Sequence, residues 1–211
     1  MNPKMKVLIG TPIHQVKDYA MERWLENISK LQYPTDLLMV DNSPGTSYVE
    51  KLRGYCAKYS FKNYRIKHFD IDQELGLDIR IERSQEMIRQ YLLTHAYDAW
   101  FSWECDQIIP TDALGKLADI MKIGNFMMVI HNSQARWDPS IANTNMGITL
   151  IKRECLEKNW FLPKRGGKIS SNVSDSYDVN DPTVFKKRVL KSGGNYIEVF
   201  GVIEPIYHLN G

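Results

Sequence analysis

The chain has 211 residues, 43% of them hydrophobic and 25% charged, with 27 Lys and Arg against 25 Asp and Glu for a formal charge of +2. That is the size of one ordinary domain with the apolar content of a globular protein, which excludes disordered and fibrous classes. So even a balance of charge gives no ground for a nucleic-acid or anionic-membrane partner.

No apolar run approaches the roughly 20 residues that span a bilayer. The N-terminus runs from Met1-Asn2-Pro3-Lys4-Met5-Lys6 straight into Val7-Leu8-Ile9-Gly10, without the apolar stretch and cleavage site of a signal peptide. Cys56, Cys105 and Cys155 are widely spaced, odd in number and free of any CxxC pair, so they read as buried thiols in a reducing compartment. A soluble cytoplasmic domain is expected.

Strand-like and helical runs alternate along the chain. Residues 6–11 form the first expected strand. Met21, Trp24, Leu25, Ile28 and Leu31 then fall at i, i+3, i+4, i+7, one buried face of a helix that ends before Tyr33-Pro34. Residues 37–40 make a second strand, closed by the turn cluster Asp41-Asn42-Ser43-Pro44-Gly45. Ser47 and Glu50 have capping-box spacing on a helix that carries Tyr48, Val49, Leu52, Tyr55, Cys56 and Tyr59.

A third strand is expected over 64–71, and Ile88, Tyr91, Leu92 and His95 mark a third helix after a loop containing Gly76. A fourth strand spans 99–106. Thr111 is positioned to cap a helix through Leu114, Leu117, Ala118 and Met121 that stops at Gly124. Residues 126–130 and 147–153 are strand-like, 166–181 is a polar loop fit to act as a lid, and 182–191 is helical. Four consecutive β-then-α units predict a three-layer α/β/α, Rossmann-like fold with a mainly parallel central sheet. Function in such sheets gathers at the carboxyl ends of the strands.

Those ends are acidic: after Thr11-Pro12 come Asp41, the segment from Asp72 to Asp78, and Glu104-Cys105-Asp106. No GxGxxG follows the first strand and no GxxxxGK[ST] occurs, which argues against a nicotinamide or flavin Rossmann domain and against a P-loop. In an extended strand Glu104 and Asp106 share a face, roughly 6–7 Å apart, with Phe101, Trp103 and Cys105 on the other. At about 5 Å and an effective dielectric near 20, two such charges repel by about 3 kcal/mol. A hard divalent cation reverses that sign and shares carboxylate ligands with phosphates. The plainer reading is that both carboxylates point into solvent.

The order of motifs adds to this. "TPIHQ", "LQYPTDLLMVDNSPGTS", "IERSQEMI", "WFSWECDQIIPTDAL", "NMGITLIKRECLEKNWF" and "VNDPTVFKKRVLKSGG" together resemble, in the right order and over nearly the whole chain, the family-2-like group of GT-A glycosyltransferases. The sequence departs from that pattern in Glu104 for the first Asp of Asp-x-Asp, Ser84 for Asn, and Asn180-Asp181 for Glu-Asp.

The resemblance implies a single GT-A domain over 1–211, with a nucleotide-binding half (1–110) and an acceptor-binding half (111–211). It implies transfer of a hexose or deoxyhexose from a UDP-sugar to a glycan or glycoprotein hydroxyl, with Mn²⁺ favoured over Mg²⁺. Asp106 is then a metal ligand, Glu104 a second ligand or a ribose acceptor, and His208 a late metal or diphosphate contact. Thr11, Pro12, Asp41, Asp78 and Arg83 fall to the nucleotide-sugar.

Each has a structural alternative: turn initiation for Asp41, an N-cap for Asp78, a solvated helix face for Arg83, and simple packing for His208. The base is sought among Asp175, Asp178 and Asp181, with Asp181 preferred and Asp178 second; Asp181-Pro182 is also an ordinary helix start. Trp103 and Trp137 are candidates for sugar stacking or for packing.

Two rivals stand beside this reading. A sugar-phosphate nucleotidyltransferase would want a Gly-rich basic loop after strand one, and Thr11-Pro12-Ile13-His14 is not one. A non-catalytic sugar-nucleotide-binding domain is the other. The end at His208-Leu209-Asn210-Gly211 fits a domain cut from a longer polypeptide.

Overall fold

The alternation of apolar residues in the short runs builds a seven-stranded sheet, and the helical runs cover it. The structure, a computed structural model, describes residues 4–134, 142–143, 146–162 and 182–210. The order is β1 (Val7–Ile13), a 3-10 turn (Gln15–Lys17), α1 (Asp18–Ser29), β2 (Thr35–Asp41), α2 (Ser47–Lys58), β3 (Tyr64–His68), α3 (Leu77–Thr94), β4 (Ala99–Trp103) and β5 (Gln107–Ile108). It continues with α4 (Ala113–Ile123), β6 (Met128–His131), β7 (Ser133–Gln134), β8 (Ala142–Asn143), β9 (Ile148–Lys152), α5 (Arg153–Lys158), α6 (Pro182–Lys191), β10 (Tyr196–Val199) and β11 (Tyr207–His208).

The main sheet has the order β10-β6-β9-β4-β1-β2-β3. β9 runs antiparallel to β4 and β6, and the other pairings are parallel. The three-layer expectation holds. One face packs Val7, Ile9, Met39, Phe101 and Trp103 against Trp24 of α1, Leu52 of α2 and Leu114 of α4. The other packs Leu8, Val40, Trp100 and Ile130 against Ile88 of α3, Leu156 of α5 and Phe185 of α6. All three cysteines are buried and free, and burial pushes each thiol up to about 12.

This connectivity creates the site. The chain steps outward from β1 to β2 to β3 with α1 and α2 on one face. It then returns through α3, on the opposite face, to place β4 on the other side of β1. The direction of winding therefore reverses between β1 and β4, and a crevice opens at their carboxyl ends.

Local expectations fail at two helix starts. Ser47 begins α2 instead of capping it, Thr46 takes the N-cap position without a side-chain bond, and Glu50 pairs with Arg53. Asp112, not Thr111, holds the N-cap position of α4, while the Thr111 hydroxyl accepts from Gln32 Nε2 at 3.1 Å. At α4 a tertiary partner, Gln32, takes the expected capping hydroxyl, and at α2 Glu50 pairs within its own helix. The expected lid over 166–181 lies outside the described residues, as do Trp137, Asp175, Asp178 and Asp181.

Gly10 in the middle of β1 is a packing requirement. A Cβ there would stand 2.4 Å from Ile88 Cγ2 and 2.7 Å from Trp100 Nε1, the indole nitrogen that donates to the Gly10 carbonyl at 2.9 Å. Gly10→Ala is therefore expected to cost about 1–3 kcal/mol of stability by overpacking. Urea unfolding at neutral pH measures it, and a loss near zero would contradict the packing.

Candidate functional site

Thr11 sits on β1 where the crevice begins. It is buried, and its hydroxyl donates to the Trp103 carbonyl at 2.8 Å, tying the ends of β1 and β4 together. β4 stops there. Its register with β1 ends at Ser102 and with β9 at Trp103, and beyond that the Glu104 amide reaches only the Gly147 carbonyl at 2.9 Å.

The triplet is consequently a turn and not a strand, closed by the Gln107 amide on the Glu104 carbonyl at 3.2 Å. Strand alternation does not pair the two carboxylates as expected, and each has found its own partner. The Asp106 side chain is 3% exposed; its Oδ2 accepts from the Lys17 ammonium and from the Tyr19 hydroxyl at 3.3 Å. Glu104 Oε2 accepts from Gln107 Nε2 at 3.0 Å.

Chain folding then brings the late histidine to this turn. β11 pairs antiparallel with β5, setting His208 opposite Gln107, and Gln107 Nε2 lies 3.2 Å from His208 Nε2. The Leu209 amide donates to the Asp106 carbonyl at 2.8 Å. The β11 strand that carries His208 is thus brought against the turn that carries Glu104 and Asp106. Cys105 points the other way, its thiol raised by burial first and then by the charges of Asp106 and Glu104. Trp103 is core: its Nε1 donates to the Gln107 carbonyl at 3.0 Å and its ring meets Trp24 edge-on at 5.6 Å, which removes it from sugar stacking.

Two carboxylates and an imidazole are residue types that suit Mn²⁺ or Mg²⁺. Gln107 Oε1, buried beside them with no donor, is a further neutral oxygen. Among the described residues no three His, Cys, Asp or Glu side chains converge to enclose an ion. By residue type alone these side chains suit a hard divalent ion that takes further ligands from a substrate.

Across the crevice the nucleotide-side candidates separate. Asp41, at the end of β2, is fully buried; Oδ1 accepts from the Ser43 hydroxyl at 2.6 Å and amide at 3.1 Å, and Oδ2 lies 2.8 Å from His68 Nδ1. Asp41 therefore fixes the turn and His68, and the side chain on the outside is Asp70, 3.2 Å from His68 Nε2. Burial works against the charged imidazole of His68, but its bonds to Asp41 and Asp70 outweigh that and raise its pKa.

Arg83 is exposed on α3, whereas Arg80 is drawn inward, its Nη1 donating to Gln73 Oε1 at 2.7 Å and its Nε buried without a partner. Gln73 Oε1 also lies 3.1 Å from His14 Nε2, and Gln73 Nε2 donates to the Asn42 carbonyl at 2.9 Å. This His14–Gln73–Arg80 network links the ends of β1 and β2 to the β3–α3 loop. The sequence reading overlooks it because a helix marked from Ile88 onward leaves the inward face of the first turns undefined. Asp78 lies in the first turn of α3 and Gly76 takes the N-cap position, so Asp78 is not the cap; Pro12 is partly exposed on β1.

The preferred base Asp181, and Asp178, fall outside the described residues, although α6 begins at Pro182 as expected. One turn below Asp78, Glu82 is 4% exposed with Oε1 lacking any partner. Burial, aided by the charge of Asp78 and opposed by Arg188 of α6, pushes its carboxyl up to about 7. A cleft of about 560 Å³ lined by Met5, Tyr33, Lys116 and Lys152 opens at the amino ends of the strands and contains none of these residues.

The fold is similar to that of a solved mannosyltransferase and of TarS. A mannosyltransferase from Pyrobaculum calidifontis, solved with GDP-Man and Mn²⁺, superposes over 95% of this chain and 56% of its own, with 14% identity and a TM-score of 0.68. S. aureus TarS residues 1–349, solved with UDP, superposes over 92% of this chain and 61% of its own, at 14% identity and a TM-score of 0.57. The chain thus spans less than two thirds of either neighbour. No family model and no curated protein matches the sequence. No helix among the described residues is long and apolar enough to cross a membrane.

Glu82 gives the site a pH signature. A carboxyl raised from 4.5 to about 7 on folding holds its proton more tightly in the native state, so stability falls as pH rises from about 4.5 to 7 and then levels. Glu82→Gln should leave stability near wild type at pH 5 and raise it by about 2 kcal/mol at pH 8. Urea unfolding at the two pH values measures this, and equal effects at both would refute it.

Proposed function

We propose that this chain is a metal-dependent glycosyltransferase that moves a hexose or deoxyhexose from a UDP-sugar to a glycan or glycoprotein hydroxyl with inversion. The observation that carries the reading is the pairing of β5 with β11 at the winding reversal, which sets the strand carrying His208 beside the turn of Glu104 and Asp106 at the carboxyl end of β4. The shared fold supports the reaction class, and the neighbours' own ligands, GDP-Man with Mn²⁺ in one and UDP in the other, support a nucleotide-sugar donor.

Asp106, Glu104 and His208 are the residues assigned to hold Mn²⁺ or Mg²⁺. Such an ion, when bound, supplies Lewis-acid stabilisation of the diphosphate as it departs. The nucleotide is assigned to the Thr11–Pro12 end of β1 and to the His68–Asp70 side of the β2 edge, with Asp41 holding that edge from behind. Arg80, bonded to Gln73 beside the ends of β1 and β2, is assigned to the diphosphate, which suits its forked guanidinium; exposed Arg83 and Asp78 flank the same helix start.

The acceptor oxygen attacks the anomeric carbon as the bond from that carbon to the diphosphate oxygen breaks. The acceptor proton passes to a carboxylate assigned to Asp181, with Asp178 second. A carboxylate of ordinary pKa suffices because the hydroxyl becomes acidic only as the new bond forms.

Asp106→Asn should lower UDP release in the presence of Mn²⁺ and a glycan acceptor by about 100-fold or more, the scale of losing a group that stabilises transition-state charge. Calorimetry should show UDP binding to the wild-type chain that depends on Mn²⁺ and is lost in the variant. Full transfer and unchanged metal dependence in Asp106→Asn would overturn the assignment.

A further inference from the structure

We infer that Lys17 is the resident counter-cation of Asp106, and that a divalent ion reaches this carboxylate only by exchange with the Lys17 ammonium. The inference rests on Asp106 being the metal-binding carboxylate proposed above and adds a residue that neither the fold nor the sequence motifs assign.

The argument begins with burial. A carboxylate that is 3% exposed cannot remain ionised without a compensating charge. Lys17 provides it: the ammonium donates to Asp106 Oδ2, the same oxygen that accepts from the Tyr19 hydroxyl at 3.3 Å. An oxygen so engaged presents its lone pairs to Lys17 and Tyr19, and a metal ion at that oxygen and the ammonium exclude one another by charge as well as by space.

Lys17 is built to let go. Its side chain is 39% exposed, and a lysine carries a compact, strongly hydrated charge on a flexible stem that returns to water readily. Its backbone, by contrast, is fixed. The Lys17 amide donates to the His14 carbonyl at 2.9 Å, the Gln15 amide donates to Ser43 Oγ at 2.8 Å, and His14 Nε2 lies 3.1 Å from Gln73 Oε1. The 3-10 turn is therefore pinned to the ends of β2 and to the β3–α3 loop. A released ammonium stays tethered at the crevice, where it meets the diphosphate that accompanies the ion.

The test uses the full chain after chelator treatment, with Mn²⁺ alone as the probe and free Mn²⁺ followed by electron paramagnetic resonance. Lys17→Met should bind Mn²⁺ about tenfold tighter than wild type, the scale of removing one charge-assisted hydrogen bond that the ion must break. Lys17→Arg, which keeps the cation, should bind no tighter than wild type. Without metal, Lys17→Met should melt at a lower temperature than wild type, and Mn²⁺ should restore it by a larger shift than it gives wild type. Should Lys17→Met fold poorly, Lys17→Gln serves in its place.

Loss of Mn²⁺ binding in Asp106→Asn, with Lys17→Met no tighter than wild type, overturns the exchange and leaves the metal-site assignment standing. Unchanged Mn²⁺ binding in Asp106→Asn, or no binding by any variant, overturns both.

Discussion

Thr11 Oγ1 donates to the Trp103 carbonyl at 2.8 Å, and this bond joins the two neighbouring strands between which the winding of the sheet reverses. Much of the site follows from it. With the Trp103 carbonyl taken by a β1 side chain, β4 has no further ladder on that side, and the chain turns at once through Glu104-Cys105-Asp106. The turn delivers Gln107 and Ile108 as a second, two-residue strand. That strand is what β11 recognises when it returns with His208 from the other end of the sequence. A strand stop, in other words, becomes the organiser of a cluster whose members are about a hundred positions apart.

The layers were legible in the sequence because they depend on periodicity alone. Trp24, Leu25 and Ile28 define the inner face of α1, and Phe101 and Trp103 define the α1/α2/α4 side of β4, before any partner is known. The start of α6 at Pro182 was legible for the same local reason, proline suiting a first helical turn. Strand length was not. Whether β4 continues to Asp106 is decided by where β1 and β9 stop supplying hydrogen bonds, and no local pattern in 99–106 encodes that.

The site was legible by residue type and less so by role. The acidic tip and His208 are read from residue type, and the structure relates them through a turn where an extended strand was expected. Asp41 was identified too, but a polar residue at a strand end can face either way, and here His68 and Ser43 claim it from inside. Arg80 and Arg83 are three positions apart on one helix. Choosing between them requires knowing that α3 begins at Leu77, and the apolar spacing reveals the helix only from Ile88. Lys17 carries no motif at all, being a single basic residue in a short turn, and only the fold sets it against Asp106.

The charge of the tip explains how these parts work together. At the turn, Lys17 neutralises Asp106, whose side chain is 3% exposed. Glu104 accepts from the neutral amide of Gln107, whose own oxygen is buried without a donor. Such a tip is stable without a ligand because its costly buried charge, on Asp106, is paired with Lys17. On the proposed reading, a doubly charged ion would take the place of that ammonium at Asp106. On the exchange proposed above, the released ammonium remains tethered by the 3-10 turn to the ends of β1 and β2. The same three side chains can thus stabilise the empty crevice and favour the occupied one, with no rearrangement of the strands that hold them.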